Sequence, residues 1–201
     1  MKTKAAIKAA ACQLFNTHGV LHVTLRDIAK QLDKSYGNIT YHFPNKQSII
    51  QALFEDYHAD LAQLPTLYDP HKSLLEFFLE LPSHSYEITT RYIFLTKDYL
   101  ELRRSFPEFF EIVEALNNAR KVKWLRLMIQ LQTEGWLRAD MDQNTLEYIM
   151  ELSVSLRMFY FQSQDIAAYD HPTYCLKVNQ LLWPYLSEKA LSTFNNWLKR
   201  Y

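Results

Sequence analysis

The sequence is poor in glycine and cysteine, with three and two in 201 residues. Hairpins and barrel corners repeatedly need residues that tolerate positive φ, so this shortage argues against turn-rich β structure and for helices. Cys12 and Cys175 lie far apart and show no metal-ligand spacing, which argues against a disulfide framework or a zinc site. Long apolar runs are also missing: no stretch of about 18 apolar residues escapes interruption by charge, so no membrane span is expected. No apolar stretch long enough for a signal peptide follows Lys2, Lys4 and Lys8, and a cytoplasmic location is expected. Excess charge of one sign is absent too, since 22 basic residues meet 22 acidic ones, which excludes a polybasic tail protein. What remains, 48% apolar and 22% charged residues, is enough to bury a core and lacks the signature of disorder. The length suits one larger domain, or a small one joined to a mid-sized one.

The neutrality is uneven along the chain. Residues 1–50 carry seven basic side chains (Lys2, Lys4, Lys8, Arg26, Lys30, Lys34 and Lys46) against two acids, Asp27 and Asp33. The rest of the chain is correspondingly acidic. Such a split suggests a nucleic-acid-facing module on a body with another task, although chance clustering on a solvated surface gives the same totals.

The pattern within those 50 residues favours the module. Ile7, Ala11, Leu14 and Phe15 place one apolar stripe on a helix that should end near Gly19. Thr24-Leu25-Arg26-Asp27 has capping-box spacing and opens a short helix with Leu25, Ile28, Ala29 and Leu32 on one face. After a three-residue connection, Ser35 is the expected N-cap of a third helix to about Phe43, with Ile39 and Phe43 facing the core. Its opposite face is Gly37 and Tyr41, flanked by Asn38, Thr40 and His42. Polar side chains with a glycine near the helix start suit hydrogen bonding to base edges with close approach of the backbone. Two short helices so joined have helix-turn-helix geometry.

Thr24-Leu25-Arg26-Asp27-Ile28-Ala29, then Ser35-Tyr36-Gly37-Asn38-Ile39-Thr40-Tyr41-His42-Phe43-Pro44-Asn45-Lys46, resembles the DNA-binding domain of the TetR family of bacterial transcriptional regulators. The resemblance covers about 7–54. Two positions depart from the family pattern: Asp33 stands in the turn where glycine is usual, and Tyr36 where a basic or small residue is more common. Aspartate tolerates the left-handed region better than most residues, so the turn is expected to survive.

The resemblance implies an all-α fold, with an N-terminal three-helix helix-turn-helix domain at 1–45, a linking helix at about 46–64, and a larger ligand-binding and dimerisation domain over 46–201. It implies phosphate contacts from Thr24, Tyr41 and Lys46, which position a protein on DNA without reading sequence. Arg26 either assists them or is a plain surface charge. Ser35, Tyr36, Gly37, Asn38, Thr40 and His42 complete the implied DNA-binding set. Asn38 offers the donor–acceptor pair that suits adenine. Tyr36 could instead pack at the edge of the core, and His42 could instead contact a phosphate or be structural. One helix-turn-helix contacts too few bases for useful specificity, so a homodimer on a near-palindromic double-stranded operator is implied, its recognition helices roughly 34–36 Å apart.

Beyond residue 46 the sequence reads as helices at about 72–81, 84–104, 107–133, 142–163, 172–186 and 188–200, bounded by Pro82, Pro107, Gly135, Pro172 and Pro184. By the resemblance, the helices at about 142–163 and 172–200 form a four-helix dimer interface, a setting that suits the aromatic residues Tyr148, Phe159, Tyr160, Phe161, Trp183, Tyr185 and Trp197.

The family also implies a pocket for a small apolar or amphipathic ligand. Tyr92, Leu95, Thr96, Tyr99, Arg120, Trp124, Met128 and Arg157 are its candidate lining, although such apolar stripes are also what a core presents. Arg120 and Arg157 interrupt apolar rows, and each needs a partner: an internal acid such as Asp98, Glu101 or Glu151, or a ligand carboxylate.

Two rival readings stand beside this one. A DNA-binding protein of the same fold needs no ligand. A helical enzyme is disfavoured, because the sequence has no glycine-rich phosphate loop, no nucleophile elbow and no Cys-His pairing, and Gly19 separates His18 from His22. No cofactor and no metal are expected.

Overall fold

The computed structural model describes residues 2–163 and 165–200. The chain divides into two compact units. The first holds the described residues up to Ala62 together with Ile88–Ala115, and the second holds Gln63–Glu87 and the described residues from Leu116 onward.

In the first unit α1 (Lys2–His18), α2 (Leu25–Gln31), α3 (Tyr36–His42) and α4 (Lys46–Ala62) follow in the order the sequence predicts. Local signals set their ends. Gly19, at φ +79, closes α1 in the left-handed conformation that glycine adopts without strain. Thr24 caps α2 with a reciprocal box: Asp27 N donates to the Thr24 hydroxyl at 3.3 Å, and Thr24 N donates to the Asp27 carboxylate at 2.8 Å. Donation to that carboxylate by the Thr24 hydroxyl at 2.6 Å, and then by Thr24 N, holds the Asp27 carboxyl below the usual aspartate range. Asp33 takes φ +51, so the aspartate does occupy the turn conformation usually left to glycine. Ser35 caps α3, accepting from Asn38 N at 3.2 Å. Ile7, Ala11, Phe15, Val20, Ile28, Ile39, Phe43, Ile49 and Ile50 are buried around these helices.

The first correction concerns Pro82. Its ring removes one backbone donor, and the sequence predicts a helix end there. Instead α5 (Leu74–Arg91) runs through it. Phe77, Phe78 and Leu79 before the proline, and Ser85 and Ile88 after it, are all buried. Packing on both sides outweighs the lost bond.

The helix expected over 84–104 is broken as well. It becomes the end of α5, then α6 (Phe94–Lys97) and α7 (Tyr99–Ser105). Distant side chains supply partners at the breaks: Asn16 donates to Arg91 O at 2.8 Å and accepts from Phe94 N at 3.1 Å, and Asp98 accepts from Val20 N at 2.7 Å. The same segment holds α4, because Asp60 accepts from Arg91 Nη1 at 2.9 Å and from the Tyr92 hydroxyl at 3.2 Å.

In the second unit α8 (Pro107–Thr133), which begins in the first, is followed by α9 (Gln143–Gln162), α10 (His171–Gln180) and α11 (Glu188–Leu198). Asp142 caps α9 through Thr145 N at 2.8 Å. The helix expected over 172–186 ends at Gln180, and Pro184 sits in a separate 3-10 turn, Trp183–Tyr185. Leu75, Leu79, Met128, Leu131, Phe161, Tyr174, Phe194 and Trp197 form this unit's core.

Candidate nucleic-acid interface

The helix-turn-helix presents α3 as an outer surface because only one of its faces is apolar. Ile39 is fully buried, whereas Tyr36 is 51% and Tyr41 84% exposed. Gly37 and Ser35 are exposed beside them, and Asn38, Thr40 and His42 are half-buried. The Arg26 guanidinium lies 5.9 Å from the centre of the Tyr36 ring, a cation–π contact that fixes a positive charge beside the start of α3. Tyr36 is therefore covered over about half of its surface and open over the rest. Tyr41 and His42 meet edge to face at 5.0 Å.

Several of the expected contacts are occupied internally. The Thr40 hydroxyl donates to the carbonyls of Tyr36 at 3.2 Å and Gly37 at 3.3 Å. Thr24 is exposed, but its hydroxyl donates to Asp27 at 2.6 Å and serves the cap. Asn38 keeps Oδ1 buried without a partner among the described residues, so its donor and acceptor are not both presented outward. A turn of that side chain toward a base would relieve an unpaired buried carbonyl.

Lys46 is the largest difference from expectation. Its ammonium donates to Val20 O at 2.8 Å and Val23 O at 3.1 Å, tying the start of α4 to the loop between α1 and α2. Burial pulls it below the usual lysine range. An ammonium has three donors, so one remains for another acceptor. The sequence signals neither this tie nor the roles of Asn16, Asp60 and Asp98, whose partners lie far along the chain.

The candidate ligand residues divide between the units. Tyr92, Leu95, Thr96 and Tyr99 belong to the first; Arg120, Trp124, Met128 and Arg157 belong to the second. Tyr92 is buried and bonds to Asp60, and its hydroxyl is pushed up to about 12, first by burial and then by the Asp60 carboxylate. Leu95 is buried, and Tyr99 meets Phe110 at 5.2 Å. Trp124 meets Phe78 at 6.1 Å, and Met128 is fully buried. Among the described residues Arg120 forms no ion pair: the side chain is exposed and donates to Asn117 at 3.2 Å. Arg157 is half-buried and donates to the hydroxyls of Ser153 at 3.2 Å, Ser85 at 2.8 Å and Tyr174 at 3.3 Å. No acid is among its described partners.

Of the aromatics assigned to an interface, Tyr148, Phe159 and Trp183 are exposed, whereas Tyr160, Phe161 and Trp197 are buried within the second unit. The last three are therefore core residues, a correction that follows from which side of α9 and α11 they occupy. His18 and His22 line an open cleft of about 510 Å³ with Asp27 and Lys30. Among the described residues no group of three or more His, Cys, Asp or Glu side chains could hold a metal ion. Among them, too, no helix is long and apolar enough to cross a membrane.

Comparison with known proteins agrees with this architecture. Residues 7–53 match the family described as bacterial regulatory proteins, tetR family, and residues 56–194 match the one described as bacterial transcriptional repressor. The HTH-type transcriptional regulator TtgR of Pseudomonas putida is 36% identical over 90 residues, which cover 40% of this chain and 43% of that protein. The chain thus matches less than half the length of the first curated relatives. A TetR-family regulator from Marinobacter aquaeolei aligns over 100% of this chain and 99% of its own, with TM-score 0.86 and 20% identity. The fatty acid degradation regulator FadR from Bacillus halodurans aligns over 89% and 93%, with TM-score 0.74 and 19% identity. At these identities the two structures attest the fold. With both family matches following one another along the sequence, the chain belongs to the TetR family of bacterial regulatory proteins.

Proposed function

We propose that this chain is a DNA-binding transcriptional repressor that binds a near-palindromic duplex operator as a homodimer in the cytoplasm and is released by a small apolar or amphipathic ligand. The observation that carries this reading is the face of α3, where exposed Tyr36, Gly37 and Tyr41 stand beside a guanidinium fixed on the Tyr36 ring. Tyr41 and the remaining donor of Lys46 would meet phosphates and set the register. Tyr36, Gly37, Asn38 and His42 would face base edges, Asn38 after a side-chain turn. Ser35 and Thr24 hold the helix starts, with Arg26 adding charge.

The dimer reading rests on α9. Its inner face carries Leu146, Ile149, Met150, Tyr160 and Phe161, all buried. On its outer face Tyr148 and Phe159, about three turns apart on one side of the helix, are 54% and 66% exposed, aromatic surface that a second copy would cover. The domain at 1–45 would read DNA, and the linking helix at about 46–64 would relay the state of the remainder, 46–201. The grip of Asp60 on Arg91 and Tyr92 supports that relay, because it ties the linking helix to the segment that follows α5.

The test is fluorescence anisotropy on a duplex that the wild-type protein selects from a random pool. Tyr41→Ala should weaken binding to every sequence, and Asn38→Ala should change which sequences are preferred. Unchanged affinity and preference in both variants would remove α3 as the reading helix.

A further inference from the structure

Arg157 is a half-buried cation with no counter-charge among the described residues. Its Nε donates to Ser153, and its Nη1 donates to both Ser85 and Tyr174. All three acceptors are neutral hydroxyls, and Ser85, Ser153 and Tyr174 are themselves buried. A guanidinium carries five N–H donors, so the two on Nη2 have no partner among the described residues. The buried surroundings raise the cost of leaving such a charge uncompensated. Arg138, by contrast, is exposed yet closes a two-bond contact with Asp140 at 3.0 and 2.6 Å. Of the two, the half-buried guanidinium is the one whose fork is left open among the described residues.

The hydroxyls add to this. Ser85 donates its own proton to Pro82 O at 3.0 Å while accepting from Arg157, so its orientation is fixed. Tyr174 and Ser153 accept from Arg157 and have no acceptor for their own protons among the described residues, so both can donate to an anion. The wall is aromatic: Tyr86 and Phe161 each stand 5.2 Å from the Tyr174 ring, and the Arg157 guanidinium lies 5.9 Å from it.

We propose that Arg157, held by the Ser85 hydroxyl, forms with the hydroxyls of Ser153 and Tyr174 the head-group site for a small monocarboxylate with an aromatic or apolar body. A planar carboxylate matches the guanidinium fork, one charge answers one charge, and the hydroxyl donors complete its shell. This deepens the ligand-release reading and rests on it for regulatory meaning, while binding at the site is a separate matter.

The probes are benzoate and decanoate, with benzamide and decanamide as neutral counterparts, in thermal unfolding of the full chain at constant ionic strength. At least one carboxylate should raise the melting temperature by a few degrees, because it binds the folded state alone, and neither amide should. Arg157→Gln should abolish the shift, Arg157→Lys should retain part of it, and Ser85→Ala should weaken apparent affinity several-fold. No shift with either carboxylate, equal shifts with acid and amide, or an undiminished shift in Arg157→Gln overturns the proposal. If Arg157→Gln fails to fold, the amide comparison and Ser85→Ala decide. The same carboxylate is then added to the DNA complex. A ligand that binds through Arg157 yet leaves the complex intact upholds the site and refutes the ligand-release reading.

Discussion

Helices α3 and α9, one in each unit, both expose aromatic side chains, and they do so in different company. On α3, Tyr36 and Tyr41 share the surface with Gly37, Ser35 and a guanidinium. On α9, Tyr148 and Phe159 stand on one side of the helix, and the nearby acids Glu147 and Glu151 pair with Lys121 of α8. Exposure alone therefore names no partner. A basic, hydrogen-bonding face suits a phosphate backbone and base edges, whereas an apolar face with its charges already paired suits a second protein surface.

The contrast is broken most severely from the α9 side. Phe159→Asp places a charge in the centre of the proposed dimer face and should weaken association by more than about 2 kcal/mol, read as a fall in mass by sedimentation. An unchanged mass would move the dimer surface elsewhere. Next is Lys46→Met, which leaves Val20 O and Val23 O without their donor and should destabilise the first unit by about 1–3 kcal/mol in urea unfolding. Were Lys46 only a phosphate contact, stability would hold and the salt dependence of DNA binding alone would fall. Asp33→Val forces a β-branched residue into positive φ and should cost about 1–2 kcal/mol, whereas Asp33→Gly should be close to neutral. Tyr41→Ala should cost about 1 kcal/mol of DNA affinity across all sequences, with mass and stability unchanged.

The smallest effect is a titration. The Tyr92 hydroxyl is raised from 10.0 to about 12, so the unfolded chain loses this proton first. The stability that Tyr92 contributes is therefore whole below its unfolded value and is lost as pH rises through the folded one. Tyr92→Phe should remove one of the late tyrosinate absorbance steps, leaving that of Tyr169, which is also raised to about 12, and should flatten the alkaline limb of stability. An unchanged alkaline limb would separate Tyr92 from the Asp60 contact.

What was legible in the sequence was what neighbours decide. The Thr24 and Ser35 caps, the stop at Gly19 and the buried faces of α1 to α3 depend on residues within one or two turns, and they were read in place. The helix through Pro82 was not, because nearby residues signal a stop that only the packed core overrules. Nor were the breaks around α6, where Asn16 and Asp98 reach partners more than 70 positions away. The candidate site shows the same division. The outward face of α3 follows from periodicity, while the tie between Lys46 and the α1–α2 loop, and the three hydroxyls on Arg157, follow from tertiary contacts that spacing does not encode.

The most direct test is a salt series of anisotropy titrations with the wild-type protein, on its selected duplex and on a scrambled duplex of the same length. The proposed function requires two chains bound per selected duplex, tighter binding there than on the scrambled one at every salt concentration, and affinity that falls steeply as salt rises. One chain per duplex, equal affinity for both sequences, or binding indifferent to salt would contradict it.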